Sequence, residues 1–189
     1  MPAMPIPTDD LARLGALHAL KILDTPPDIC LDVIVRAASR AFSTPIALVS
    51  LVDSERQWFK AAHGLDVKET PRVHSFCAHA IMENKPFVIL DATKDERFAS
   101  NPLVTGSPKI RFYAGAPMEL SSGHRIGTLC VIDKIPRESF SDEQGQLLGR
   151  LASFALDLLE DRYRTSDLLL DLSETLNEAT KRRRDIRIT

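Results

Sequence analysis

The chain has little of what most directly announces a function. Three cysteines, Cys30, Cys77 and Cys130, are spread over 189 residues, too few and too far apart for a disulfide framework, and they read as free thiols. No apolar run approaches the ~20 residues that cross a bilayer. The opening MPAMPIPTDDLARL has neither a basic segment nor an apolar stretch ending in small residues, which argues against a secretory signal. Neither sign of charge dominates: 24 Lys and Arg against 26 Asp and Glu leave a net charge of -2, so nothing draws the whole chain to nucleic acid or anionic lipid. These absences point to a cytoplasmic protein without membrane insertion and without a nucleic-acid partner. What is present, 44% apolar residues, suffices for the core of one domain with something appended.

Two helices come first. TDDLARLGALHALKILD places Leu11, Leu14, Leu17, His18 and Ile22 near helical spacing, with Thr8 and two aspartates where a helix start favours a cap and negative charge. TPPDICLDVIVRAASRAF repeats the plan, opened by prolines and Asp28 and striped by Ile29, Val33, Ile34, Ala37 and Ala41. Strand-length runs follow: residues 45–53 and the QWFKAAHGL stretch as a hairpin, then 86–90, 111–120 and 125–133, the last two joined by SSGH. A short helix is expected near Ser75. The polar stretch 91–109 is too long for a plain turn.

From Asp142 onward a helical pattern is sustained. Leu147, Leu151, Phe154 and Leu158 form an apolar stripe, polar residues Asp161 or Arg162 and Thr165 interrupt it, and leucines return at 168, 169, 172 and 176. Continued to about residue 181, such a helix would be roughly 60 Å long at ~1.5 Å per residue, longer than a compact domain of this size is wide. Part of it must therefore project or pair with another chain. The basic end KRRRDIRIT has no interleaved aromatics and reads as a solvated tail.

VHSFCAHAI concentrates one cysteine and two histidines. On a helix capped by Ser75, Cys77 and His79 lie roughly 200° apart, and on a strand His74 would point away from both, so the three do not converge locally. Paired metal-ligand spacings such as C-x2-C are absent, and no metal is expected. Near a helix start the Cys77 thiol could be activated as a nucleophile. Alternatively Cys77 is a small apolar filler, which its neighbours Phe76, Ala78, Ala80 and Ile81 fit better.

The segments LDTPPD, PIALVSLVDSERQWFKAAHGL, SFCAHAI, DATKDERFASNPLV, IRFYAGAPM and RIGTLCVIDKIPR, in this order, resemble a GAF domain of the kind found at the N-terminus of bacterial sensor histidine kinases and diguanylate cyclases. The resemblance implies an α+β, PAS-like fold: a central antiparallel sheet, N- and C-terminal helices on one face, and a pocket on the other, roofed by the helix near residue 77. It implies candidate ligand-binding residues Trp58, Phe76, Cys77, Asp91, Phe98, Arg111 and Tyr113. By strand alternation Arg111 and Tyr113 share a face that is open to a ligand only if Phe112 and Ala114 face the helices.

The expected organisation is a flexible N-terminus over 1–10, a GAF domain over 11–162, and a signalling helix or coiled-coil linker with a basic tail over 163–189. The resemblance implies a sensory role: a small molecule or partner is received, and a homodimeric C-terminal helix passes the signal to an output such as a kinase or cyclase domain, without catalysis in this chain. The ligand is unnamed. Two family specialisations fit poorly, cyclic nucleotides because alanine follows Asp91 in NKPFVILDA where glutamate is needed, and bilin because no Cys-His pair is present. The alternative is a thiol-based redox sensor or a GAF-fold reductase using Cys77.

Overall fold

The computed structural model describes residues 4–186, with side chains placed as far as Thr165 and at Leu168. The order of elements is α1 (Asp10–Ala19), α2 (Ile29–Ala41), β1 (Ile46–Val52), β2 (Arg56–His63), β3 (Glu69–Pro71), a single 3-10 turn, α3 (Phe76–Ala80), β4 (Phe87–Ile89), α4 (Pro102–Thr105), β5 (Phe112–Glu119), β6 (Arg125–Asp133) and α5 (Asp142–Ile186). Among the described residues the strands form one sheet in the order β3-β2-β1-β6-β5-β4, antiparallel throughout. None of the described helices is long and apolar enough to cross a membrane.

Every residue of β1 is buried, as expected for a strand covered on both faces. Alternation then divides the sheet's side chains between two cores. Ala47, Val49 and Leu51 of β1, Phe112, Ala114, Ala116 and Met118 of β5, and Leu129 and Val131 of β6 face α1, α2 and α5. Ile46 and Leu48, Tyr113, and Cys130 and Ile132 face the opposite way, under α3 and the segments around it. Phe112 and Ala114 thus face the helices and Tyr113 does not.

The helices are capped from their own sequence. Asp28 accepts from the amides of Cys30 (2.9 Å) and Leu31 (3.4 Å) at the start of α2, an arrangement that contributes about 1 kcal/mol. Ser141 and Gln144 form a reciprocal box before α5: Ser141 Oγ accepts from the Gln144 amide at 3.2 Å, and Gln144 Oε1 accepts from the Ser141 amide at 2.9 Å. The start of α1 differs from expectation, because Asp9 is the cap residue and its side chain makes no capping bond.

The inward stripes match the ones that spacing suggested only in part, at Ile34 on α2 and at the half-buried Leu151 and Leu158 on α5. On α2 the buried positions are Leu31, Ile34, Val35 and Ala38, while Ile29 and Val33 are exposed. On α5 they are Leu148, Ala152, Ala155, Leu156 and Leu159, while Leu147 and Phe154 are 42% and 54% exposed. Both helices carry two apolar stripes, and small residues on the inner one let the helix approach the sheet closely. On α1 the buried partner of Leu17 is Arg13 rather than Leu11. Its guanidinium donates to the Val52 carbonyl (2.6 Å) and to Asp10 (2.7 Å).

Asp10 also receives both terminal nitrogens of Arg72 at 2.8 and 2.9 Å. One carboxylate thus joins α1 to the 3-10 turn that leads into α3, across 62 positions of sequence. The two arginines hold the Asp10 carboxyl below the usual range against the opposing effect of burial.

Candidate functional site

The roofed face is organised around α3. Ser75 caps the helix, accepting from the Ala78 amide at 2.9 Å, and donates its hydroxyl to Gln57 Oε1 on β2. Gln57 in turn donates to Thr70 Oγ1 at 2.7 Å, and Asn101, the cap of α4, donates its side-chain amide to the His74 carbonyl at 3.0 Å. Polar bonds therefore pin this five-residue helix at its first turn. Its remaining hold on the sheet is apolar apart from the contacts of Cys77.

Beneath it, Phe76 stacks on Phe98 with centroids 3.9 Å apart and tilts against Tyr113 at 5.2 Å. Phe87 meets both Phe98 and Tyr113 edge-on or tilted at 6.3 and 6.1 Å, geometries that suit aromatic quadrupoles. Gly115 gives the Tyr113 ring room to lie flat along β5, since a Cβ there would stand 2.1 Å from the phenol oxygen. That hydroxyl donates to Cys77 Sγ at 3.4 Å, and Cys77 Sγ lies 4.0 Å from Cys130 Sγ on β6.

Two more hydroxyls complete the floor. Ser50 and Thr128 are opposite one another in the β1–β6 register. Both side chains are fully buried, and neither hydroxyl has a hydrogen-bond partner among the described residues. Burial opposes ionisation of Cys77, yet Cys130, Thr128, Tyr113 and Ser50 outweigh it and hold the thiol below its ordinary range. Cys130 is pushed up, by its bond to Cys77 and by burial. Tyr113 is also pushed up, mainly by burial.

His79 lies at the rim, edge-on to Phe98 at 4.7 Å. Burial and the nearby Arg97 guanidinium lower its pKa to about 4. Arg97 itself lies 4.9 Å over Phe87 and pairs with Asp95 at 2.7 Å. Cys77 points into the core while His79 reaches the rim, the divergence expected of residues two apart on a helix.

Of the seven residues implied as ligand-binding, Phe76, Cys77, Phe98 and Tyr113 come together here. Asp91 and Arg111 lie outside the cluster in local backbone roles. Asp91 accepts from the amide and hydroxyl of Thr93 at 3.1 and 2.6 Å, and Arg111 donates to the carbonyls of Val104 and Ile110 at 3.0 and 2.9 Å. Trp58 lies on the opposite face of the sheet: it pairs with Leu51, whose side chain also belongs to the helix-side core. Strand register, altered by a bulge at Val49/Ser50, decides that placement.

The side chains under α3 are closely packed. Phe76, Cys77, Phe98 and Tyr113 are each 2% exposed or less and fill the space under α3 with their own side chains. Cys130, Ser50 and Thr128 are the site residues that spacing alone missed. The available signal was alternation on β6, which turns Cys130 and Ile132 away from Leu129 and Val131.

A concavity of about 670 Å³ opens elsewhere, between the α1–α2 connection and α5. Lys60 crosses it to donate to Thr25 Oγ1 (2.6 Å) and the Pro26 carbonyl (2.8 Å), and Arg162 pairs with the buried Asp28 at 2.6 Å. The LDTPPD segment thus meets the C-terminal helix at the point where it leaves the sheet.

A family profile described as GAF domain matches residues 26–156. A cyclic di-GMP phosphodiesterase of Pseudomonas aeruginosa is 43% identical over 156 residues, 82% of this chain. The match spans 27% of that relative's length. The GAF domain of an Acinetobacter phosphoenolpyruvate-protein phosphotransferase is 20% identical with a TM-score of 0.61, covering 84% of this chain and 97% of that one. A free methionine-R-sulfoxide reductase from Neisseria meningitidis, solved with its substrate, is 20% identical with a TM-score of 0.58, covering 88% and 99%. At these identities the two structures establish likeness of fold.

Proposed function

The chain belongs to the GAF domain family, and on that premise we propose that it is a sensory input module that passes a signal from the roofed face of the sheet to an output through a homodimeric α5. The observation that carries this reading is the double stripe on α5. One side, Leu148, Ala152, Ala155 and Leu159, is buried in the helix-side core, and beside it runs Leu147, Leu151, Phe154 and Leu158 at alternating four- and three-residue spacing, with Leu147 and Phe154 exposed and Leu151 and Leu158 half-buried at the edge of that core. A rod seated in the sheet with a second seam turned to solvent is suited to pairing with a second copy and carrying displacement along its length. Exposed Ile29 and Val33 on α2 add to the apolar surface beside it.

The seam continues through Asp161 and Thr165 to Leu168. Thr165 returns its hydroxyl to the Asp161 carbonyl at 2.9 Å, and two polar positions in succession make a joint that changes register for little energy. The continuation over Leu169, Leu172 and Leu176, and the basic end, lie outside the described side chains. Signalling requires that the stimulus favour one arrangement of the paired helices over another. The output is a module such as a kinase, cyclase or phosphodiesterase, the last supported by the relative's name, and this chain itself is regulatory. Close burial of Cys77 favours sensing over turnover of a substrate at that thiol.

Sedimentation equilibrium of the chain and of Leu151→Asp tests the reading. A dimer that becomes a folded monomer on substitution is expected, with helical circular dichroism retained. A wild-type chain that stays monomeric at high concentration would remove the argument.

A further inference from the structure

We propose that Cys77 and Cys130 form a hydroperoxide-responsive dithiol, whose oxidation to an intramolecular disulfide is a stimulus received under α3. The inference rests on the sensory reading for its consequence, but its chemistry stands on the site alone. Cys77 on α3 and Cys130 on β6 are 53 positions apart in sequence, yet their sulfurs are 4.0 Å apart. The two sulfurs are in non-bonded contact with nothing between them, and bond formation shortens the separation to about 2.05 Å. The third cysteine, Cys30, is exposed on α2 and plays no part.

Unpartnered hydroxyls surround the pair. In a core that is otherwise aromatic and aliphatic, the buried oxygens of Ser50 and Thr128 lack the hydrogen bonds that buried polar groups normally make. A thiolate at Cys77 is the acceptor they lack, and the Tyr113 hydroxyl already donates to the same sulfur at 3.4 Å. The Tyr113 donor stabilises the anion of that sulfur, with the Ser50 and Thr128 hydroxyls free to turn toward it from the same face of the sheet, and the anion is the nucleophile. The lowered pKa of Cys77 agrees with this geometry.

The reaction balances with one hydroperoxide. Cys77 thiolate attacks a peroxide oxygen, the O–O bond breaks, and with one proton taken up the products are Cys77 sulfenic acid and water. Cys130 thiolate then attacks the sulfenic sulfur, the S–O bond breaks, and the hydroxide leaves as a second water on protonation. In sum, two thiols lose two electrons and two protons to hydrogen peroxide, which becomes two waters. Hydrogen peroxide is nearly water-sized, and local opening of the five-residue α3 admits it.

Closing the sulfur–sulfur gap draws α3 toward β6. Phe76, adjacent to Cys77, then shifts against Phe98. On β6 the neighbours of Cys130, Leu129 and Val131, face the helices on the other side, so strain at Cys130 reaches the layer that holds α5.

The test uses the full chain with Cys30→Ser, so that the exposed thiol forms no links between molecules. The reduced folded protein is treated with hydrogen peroxide, quenched with iodoacetamide in denaturant and mapped by non-reducing peptide mass spectrometry. The expected result is a linked peptide pair containing Cys77 and Cys130, lighter by the pair of hydrogens and released by dithiothreitol. In the Cys130→Ser variant, Cys77 is expected to stop at a sulfenic acid that dimedone traps. Both thiols remaining alkylatable after peroxide, or sulfinic and sulfonic products without the linked pair, would overturn the proposal. The readout is independent of oligomeric state: a linked pair in a chain that fails to dimerise leaves this inference standing and removes the sensory reading, and a dimer without the link does the reverse.

Discussion

The two faces of the sheet are covered by different kinds of structure. On one side, three helices of 10, 13 and 45 residues seal a core that is mostly aliphatic, with alanines where the helices approach most closely. On the other, a five-residue helix, a four-residue helix and loops cover stacked aromatic rings, two thiols and hydroxyls without partners. Long helices gain stability from many cooperative contacts, whereas short segments open locally at lower cost. The face with the weaker cover therefore holds the thiols and the unpartnered hydroxyls, and the face with the stronger cover anchors the helix that leaves the domain.

The largest expected effect comes where the faces are tied together. Asp10→Ala leaves Arg13 and Arg72, 1% and 3% exposed, without their shared counter-ion. Urea denaturation should register a loss of roughly 3–5 kcal/mol, as for other broken buried pairs. A loss under about 1 kcal/mol would mean that water replaces the carboxylate and that the faces are less strongly tied than the distances imply.

Within the helix side, adjacent leucines on α5 should separate cleanly. Leu148→Ala removes a fully buried side chain and should lower stability by about 2–5 kcal/mol. Leu147→Ala, on the outward stripe, should stay within about 0.5 kcal/mol when the protein is dilute enough to be monomeric. Equal losses would place both stripes in the core.

Hydrogen exchange addresses the roof against the sheet. Amides of Ile81 and Ala80 at the end of α3 should exchange by local opening, at rates little affected by low urea, while those of Leu48 and Cys130 in the central strands should require global unfolding. Equal protection on α3 and β6 would erase the distinction between the faces.

The smallest effect is a pH dependence at the rim. His79 falls from an ordinary 6.5 to about 4 in the folded state, through burial and Arg97. The unfolded chain therefore binds more protons in this interval. Stability from His79 is fully present above about 6.5 and declines as pH falls towards 4. His79→Gln should flatten that part of the pH–stability curve, and an unchanged slope would assign it to other groups.

Much of the fold was legible without coordinates. Runs such as IALVSLV and RIGTLCVID are strands because β-branched and apolar residues recur at strand length between turn signals, and Ser75 caps α3 as its position suggests. The three-residue β3 escaped notice, as a short edge strand carries no periodicity. The helical stripes were assigned only partly correctly because α2 and α5 are apolar on two sides, and spacing alone cannot say which side meets the sheet. At the site, Phe76, Phe98 and Tyr113 were among the residues that the resemblance implied, whereas Cys130, 53 positions from Cys77, was not.

Local sequence by itself determined the elements, their order and their caps, since propensity, periodicity and hydrogen bonding to nearby amides act over a few residues. Only the tertiary structure decided that Trp58 belongs with the helices, that Arg13 and Arg72 share Asp10, and that Cys77 lies against Cys130. Those relations depend on strand register and on packing between distant segments. A shift of one position would turn each strand side chain to the opposite face.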